Sequence, residues 1–150
     1  MKIVICGSIA FIEEMEKTQQ TLQHMGHDVL IPPLTIPNGK GGTMPVEEFY
    51  KLRQTAGDED LWIWERKSQA MRAHFEKIVW SDVILVMNRY KNRIDGYVGS
   101  NTLIEMGLAF FLGKTIFLYR RIPDMPCREE ILGFKPRLLN SSLSYFENNL

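Results

Sequence analysis

The stretch Gly96-Tyr97-Val98-Gly99-Ser100-Asn101-Thr102-Leu103-Ile104-Glu105-Met106-Gly107 gathers glycines, hydroxyls, an amide and a carboxylate in one short span. Gly96 and Gly99 let backbone approach a ligand closely. Ser100, Asn101 and Thr102 offer donors and acceptors just ahead of an apolar run, Leu103, Met106, Leu108, Ala109 and Phe110, at helical spacing. The N-terminus of such a helix presents free N–H groups, which suit an anion or a hydroxyl-rich ligand. Glu105 is expected in the first turn of that helix. Thr102-x-x-Glu105 reads as a capping box, and the helix dipole favours an acid there. The same carboxylate could instead face the ligand and do chemistry. Spacing leaves both roles open.

Other side chains could join it. Gly7-Ser8-Ile9 follows the first apolar run, and Asn88 closes another, Val83–Met87. Arg89, Lys91 and Arg93 lie in the following polar loop, either as an ordinary solvated loop or as cations closing over a site. His74, on an expected helix, is either a surface residue or a proton donor titrating near neutral pH. Cys6 lies in an apolar run and reads as a buried thiol, and Cys127 stands apart from it. Two cysteines make no disulfide framework, and no zinc-type spacing exists, so neither a metal nor a cofactor is expected.

The elements that must position these residues follow from periodicity. Ile3–Cys6 reads as a buried strand. Ile12, Met15, Thr18, Leu22 and Met25 mark one face of a helix that ends at Gly26. Val29–Ile31 reads as a second strand, stopped by Pro32-Pro33. Strand, helix, strand implies a parallel pair with a right-handed crossover. Leu34–Met44, with Pro37, Gly39, Gly41 and Gly42, is expected as a flexible loop, functional or merely tolerated. Pro45–Leu52 follows as a short helix. Asp58-Glu59-Asp60 beside Leu61-Trp62-Ile63-Trp64 reads as packing or as a partner surface. Met71, Phe75, Ile78 and Val79 mark another helix, Val83–Met87 a third strand and Ile116–Tyr119 a fourth. The tail predicts a helix at Arg128–Leu132, a strand near Leu138-Leu139 and a last helix carrying Leu143 and Phe146. The expected fold is α/β, an open parallel sheet of four to five strands with helices on both faces, Rossmann- or flavodoxin-like. Ligands of such sheets bind beyond the carboxyl ends of the strands, at the switch point.

The 150 residues predict a single domain, 1–150, without need of staples. A formal net charge of zero argues against a nucleic-acid polymer as partner. It also leaves self-association unopposed, and Trp62, Trp64, Trp80, Phe110 and Phe111 are many large aromatics for one small core, so a homodimer or higher homo-oligomer is expected. The four-residue apolar start is too short for a signal or a membrane span. The expectation is a cytoplasmic protein with no membrane partner.

Three features in order resemble the nucleoside 2-deoxyribosyltransferase superfamily, which includes the deoxynucleoside monophosphate N-hydrolases. They are Ile5-Cys6-Gly7-Ser8-Ile9, then Ser81-Asp82-Val83-Ile84-Leu85-Val86, then Glu105-Met106-Gly107-Leu108-Ala109 with Leu112-Gly113-Lys114. The likeness runs through about Tyr119 and omits the stretch 34–64 and the tail. It implies Glu105 as the nucleophile that attacks the anomeric carbon, as in a retaining glycosidase. It also implies a nucleoside or nucleotide as the small-molecule partner. His74 falls where the family carries an active-site aspartate, Val4 where it carries a tyrosine, and Ala10 where the N-hydrolases carry an arginine. Asp82 reads as structural, at the far end of its strand.

The resulting expectation is N-glycosidic cleavage or deoxyribosyl transfer, with Glu105 and His74 catalytic and Gly7, Ser8, Ile9, Asn88, Gly99, Ser100 and Asn101 binding substrate. The alternatives are a non-catalytic nucleotide sensor on the same fold and a Rossmann-like protein for an unrelated small ligand.

Overall fold

The apolar run near the start of the chain becomes the second strand of a five-stranded parallel sheet. In the computed structural model, which describes residues 1–149, the strands in chain order are β1 (Lys2–Cys6), β2 (Asp28–Leu30), β3 (Thr35–Pro37), β4 (Thr43–Pro45), β5 (Val83–Val86), β6 (Thr115–Leu118) and β7 (Arg137–Leu138). The helices are α1 (Ile12–His24), α2 (Val46–Thr55), α3 (Leu61–Trp80), α4 (Ser100–Phe111), α5 (Arg128–Gly133) and α6 (Ser144–Glu147). The main sheet has the order β2-β1-β5-β6-β7. Counted along the chain, its strands run 2-1-3-4-5, the flavodoxin-like doubly wound order. The chain reverses direction across the sheet between β1 and β5, so the crevice opens at their carboxyl ends, after Cys6 and Val86.

Both faces of the sheet are covered, which is why its strands read as unbroken apolar runs. Ile3 and Ile5 of β1 pack with Ile12, Met15 and Leu22 of α1 and with Phe146. Val4 and Cys6 point the other way, among Ile78 of α3, Met106 and Ala109 of α4, and Ile131 of α5. Asp82 lies at the far end of β5, where its carboxylate accepts from the Lys2 amide at 2.7 Å.

The stretch expected as a flexible loop holds a short antiparallel hairpin, β3 with β4. Asn38 builds its turn: the side-chain oxygen accepts from the amides of Lys40 (2.8 Å) and Gly42 (3.1 Å). Gly39 and Gly41 take the left-handed backbone that the turn needs. Each strand is three residues long, and only Ile36 is buried, too short an alternation to register in the sequence.

Helix α3 is also longer than expected and begins ten residues earlier, at Leu61. The acidic cluster and the tryptophans form its start. Trp64 is half-buried and its indole N–H donates to the Gly57 carbonyl at 2.8 Å. Trp62 rests against Phe49 with ring centroids 6.4 Å apart. Ile63 and Trp64 of this segment pack inward, while Leu61 and Trp62 stay exposed. The pattern near Leu61 was hard to read because apolar and aromatic residues occupy several faces of one turn.

Candidate active site

A cleft of about 210 Å³ opens at the crevice between β1 and β5. Gly7, Ser8 and Ile9 form its edge from the turn after β1, and Gly99, Ser100, Asn101 and Glu105 come from the start of α4. Helix α3 adds Lys67 and His74, α2 adds Tyr50 and Arg53, and the loop after β5 adds Lys91 and Tyr97. Pro32, Pro33 and Ile36 close the apolar side. Gly7 allows the tight approach: a Cβ there would lie 2.8 Å from Met15 Cε and 3.0 Å from the Met87 carbonyl.

Glu105 is the one carboxylate among the residues lining the cleft. It is not a helix cap. Helix α4 starts at Ser100 with Gly99 as its N-cap, so Glu105 sits in the second turn, beyond reach of the first amides. The capping-box expectation fails because the helix starts before Thr102, whose side chain is buried within it. Glu105 Oε1 instead accepts from Asn101 Nδ2 at 2.7 Å, one turn back. Asn101 is held in turn by Lys67, whose Nζ donates to Asn101 Oδ1 at 3.0 Å. Glu105 Oε2 is buried with no hydrogen-bond partner. Gly99 brings no side chain to the first amides of α4, which leaves them available to a ligand.

Burial sets the protonation of this group. Loss of solvent pushes Glu105 up to about 8, against the smaller opposing pull of Cys6, Lys67 and Asn101. Burial, then the Lys77 charge, pushes His74 down to about 4. Burial, then the Arg53 charge, lowers Lys67 to about 8, although Glu105 acts the other way. At pH 7 Glu105 is mostly protonated and His74 is neutral, so the 3.9 Å approach of His74 Nε2 to Glu105 Oε1 is not an ion pair. Cys6 Sγ lies 3.5 Å from the same Nε2. Burial, then the Glu105 carboxylate, raises Cys6 well above the usual thiol range, so it is no thiolate nucleophile.

The opposite wall is cationic. Lys91 Nζ donates to Ser8 Oγ (2.9 Å) and to the Tyr50 hydroxyl (2.7 Å), and stands 5.1 Å from the Tyr50 and Tyr97 ring centroids. Burial raises the Tyr50 phenol, but the Lys91 hydrogen bond and charge outweigh it, and the net shift is downward. Arg53 lies 5.3 Å from the Tyr50 ring, with a buried Nε that has no partner.

Most residues singled out in the sequence meet at this cleft: Gly7, Ser8, Ile9, His74, Gly99, Ser100, Asn101 and Glu105. Asn88 does not. It is fully buried, donates to the carbonyls of Gly96 (3.3 Å) and Arg121 (2.9 Å), and accepts from the Arg120 amide (2.8 Å). Those bonds tie two loops to the end of β5 and leave nothing for a ligand. Arg89 turns to Glu14 at 3.9 Å and to the Tyr119 ring, and Lys91 alone of the three loop cations lines the cleft. His74, expected as a surface residue or a proton donor, is buried. Tyr50, Arg53 and Lys67 were missed. The last had a signal, since Lys67 and His74 stand seven residues apart on one helix face, but only once α3 is extended back to Leu61.

No protein-family model and no curated protein matches this chain. Among solved structures, the chain is similar to a 2-deoxyribosyltransferase from the psychrotolerant bacterium Bacillus psychrosaccharolyticus. The two are 18% identical, the match covers 79% of this chain and 71% of that one, and the TM-score is 0.47. No described helix is long and apolar enough to cross a membrane.

Proposed function

We propose that this chain cleaves or transfers the N-glycosidic bond of a deoxyribonucleoside or its monophosphate, with Glu105 as the nucleophile. The observation that carries the reading is Glu105 Oε2: a buried carboxyl oxygen without a partner, on a side chain oriented by Asn101, in a cleft at the switch point of the sheet. The residue resemblance around Gly7-Ser8, Asp82-Val83 and Glu105-Met106-Gly107 supports it. Glu105 starts protonated. Its proton leaves through His74, the nearest imidazole, to the departing base nitrogen as the C1′–N bond breaks. The carboxylate then forms a bond to C1′, giving a glycosyl ester and a neutral base. Water, or a second base, opens the ester, and the proton it releases returns to Glu105. Gly7, Ser8, Ile9, Gly99, Ser100 and Asn101 hold sugar and base. Arg53, Lys67 and Lys91, against one carboxyl, favour a phosphorylated substrate. The copies of the chain associate through the apolar face of α3 and α4.

Incubation with a panel of deoxynucleosides and their 5′-monophosphates, read for free base, tests this. Base release from a monophosphate is expected, with turnover reduced by orders of magnitude in Glu105→Gln. Lys91→Met is expected to raise KM for the monophosphate more than for the parent nucleoside. Saturable nucleotide binding without release of any base would replace this reading with the sensor.

A further inference from the structure

Three donor atoms of different softness converge behind the cleft: Cys6 Sγ at the end of β1, His74 Nε2 on α3 and a carboxylate oxygen of Glu105 on α4. All lie within 4.8 Å of one another, and all three residues are buried. We propose that Cys6, His74 and Glu105 bind a divalent cation of the zinc class, and that this cation and the nucleoside exclude one another from the cleft. Metal binding rests on the donor geometry alone, whereas its inhibitory effect rests on Glu105 being the nucleophile.

The distances fit a small tetrahedral ion. Zinc bonds of about 2.3 Å to sulfur and about 2.0–2.1 Å to nitrogen or oxygen set donor–donor edges of about 3.3–3.6 Å. The Sγ–Nε2 edge is 3.5 Å. The Nε2–Oε1 edge is 3.9 Å, and a small turn of the terminal carboxylate torsion, which is soft, shortens it. Sulfur and imidazole select zinc, cobalt or copper over magnesium and calcium. His74 Nδ1 has no partner, so the ring is free to hold its hydrogen there and leave a lone pair on Nε2. Glu105 Oε2 likewise has no competing hydrogen bond, and the nearest ammonium, Lys67, donates to Asn101 instead. Binding releases the thiol and carboxyl protons to solvent. A thiolate and a carboxylate then neutralise the two charges of the ion. The cleft supplies the fourth position. The bound ion takes up the negative charge that Glu105 would bring to C1′ and fills the space in front of its carboxylate, hence the competition.

Cobalt(II) serves as the probe, titrated into chelator-treated wild-type protein. One equivalent is expected to bring up a thiolate-to-cobalt charge-transfer band with intense tetrahedral visible bands, and zinc to displace it. The band is expected to survive in Cys127→Ser and to vanish in Cys6→Ser. His74→Gln and Glu105→Gln, each folded by circular dichroism, should weaken cobalt by at least the 10–100-fold typical of losing an outer-shell partner. No band in folded wild-type protein, or a band that persists in Cys6→Ser, overturns the site. If base release is detectable, zinc should abolish it and chelator restore it, and turnover unaffected by saturating zinc overturns the competition. A cobalt band without any glycosidic turnover would instead keep the metal site and remove the nucleophile reading.

Discussion

Glu105 binds its proton more tightly in the folded chain than in the unfolded one, at about 8 against an ordinary 4.5. A group raised in this way contributes stability that is complete below pH 4.5 and is lost as pH climbs through 8. His74 behaves in the opposite sense. Its proton affinity is depressed from 6.5 to about 4, so the unfolded chain is protonated first and stability falls as pH drops through that window. The two slopes oppose between pH 4.5 and 6.5; from 6.5 to 8 that of Glu105 is unopposed, and above 8 the depressed Lys67 adds a slope of the opposite sign, common to wild type and Glu105→Gln. Glu105→Gln cannot titrate. It is expected to melt close to wild type at pH 5 and on the order of 5–10 °C above it at pH 9. Thermal melts followed by circular dichroism across that range check this, and parallel curves for the two proteins would contradict it. The same side chain thus lowers stability where its ionised form is most available, a common relation at sites that do chemistry.

The elements hold the site through a few polar ties. Asn88 joins the end of β5 to the carbonyls of Gly96 and Arg121 and to the Arg120 amide. Gly96 sits there in the left-handed region, and a Cβ would collide with the Arg121 carbonyl. Asn88→Ala would leave the buried Gly96 carbonyl and the part-buried Arg121 carbonyl and Arg120 amide without this partner. A loss of about 2–4 kcal/mol follows, at roughly 1 kcal/mol or more for each such group. In a domain of this length that is a fall in melting temperature of roughly 5–15 °C. Because Asn88 lines no part of the cleft, nucleotide affinity measured well below the transition should stay within about twofold of wild type. A large affinity loss with unchanged melting temperature would return Asn88 to the binding residues.

Across the molecule, α3 and α4 end side by side. Lys114 Nζ donates to the carbonyls of Val79 and Ser81, which brings the end of α4 beside the end of α3. Phe111 is 85% exposed there, with Val79, Trp80 and Ile104 also open to solvent. Phe111 and Ile104 are seven residues apart, on one face of α4. Apolar surface of this kind, on a chain with no net charge, is expected to be covered by a second copy. Sedimentation of the wild type should give a dimer or larger at micromolar concentration, and Phe111→Glu should shift it to monomer. A wild-type monomer under those conditions would rule out this assembly.

The sequence by itself determined the strands of the main sheet, the order of their elements and the edges of the cleft that follow β1 and open α4. Buried parallel strands are unbroken apolar runs, and the glycine and serine residues that follow them need only local spacing to be recognised. The short edge strand at Arg137–Leu138 and the helix from Arg128 were legible within a residue of their observed places. The start of α4 was not, because Ser100, Asn101 and Thr102 suit a cap and a first turn alike, and only the surrounding packing selects between them. The hairpin at Thr35–Pro45 was hidden because its strands are three residues long and its turn depends on one asparagine side chain. Tertiary structure alone brought Lys67 and Cys6 to Glu105, and Tyr50 and Arg53 to the facing wall of the cleft. They come from α3, α2 and β1, far apart in the chain, and no spacing records a meeting of that kind. It alone also set the protonation of Glu105 and His74, since burial is a property of the whole fold and raises the one and lowers the other in a way that local sequence does not encode.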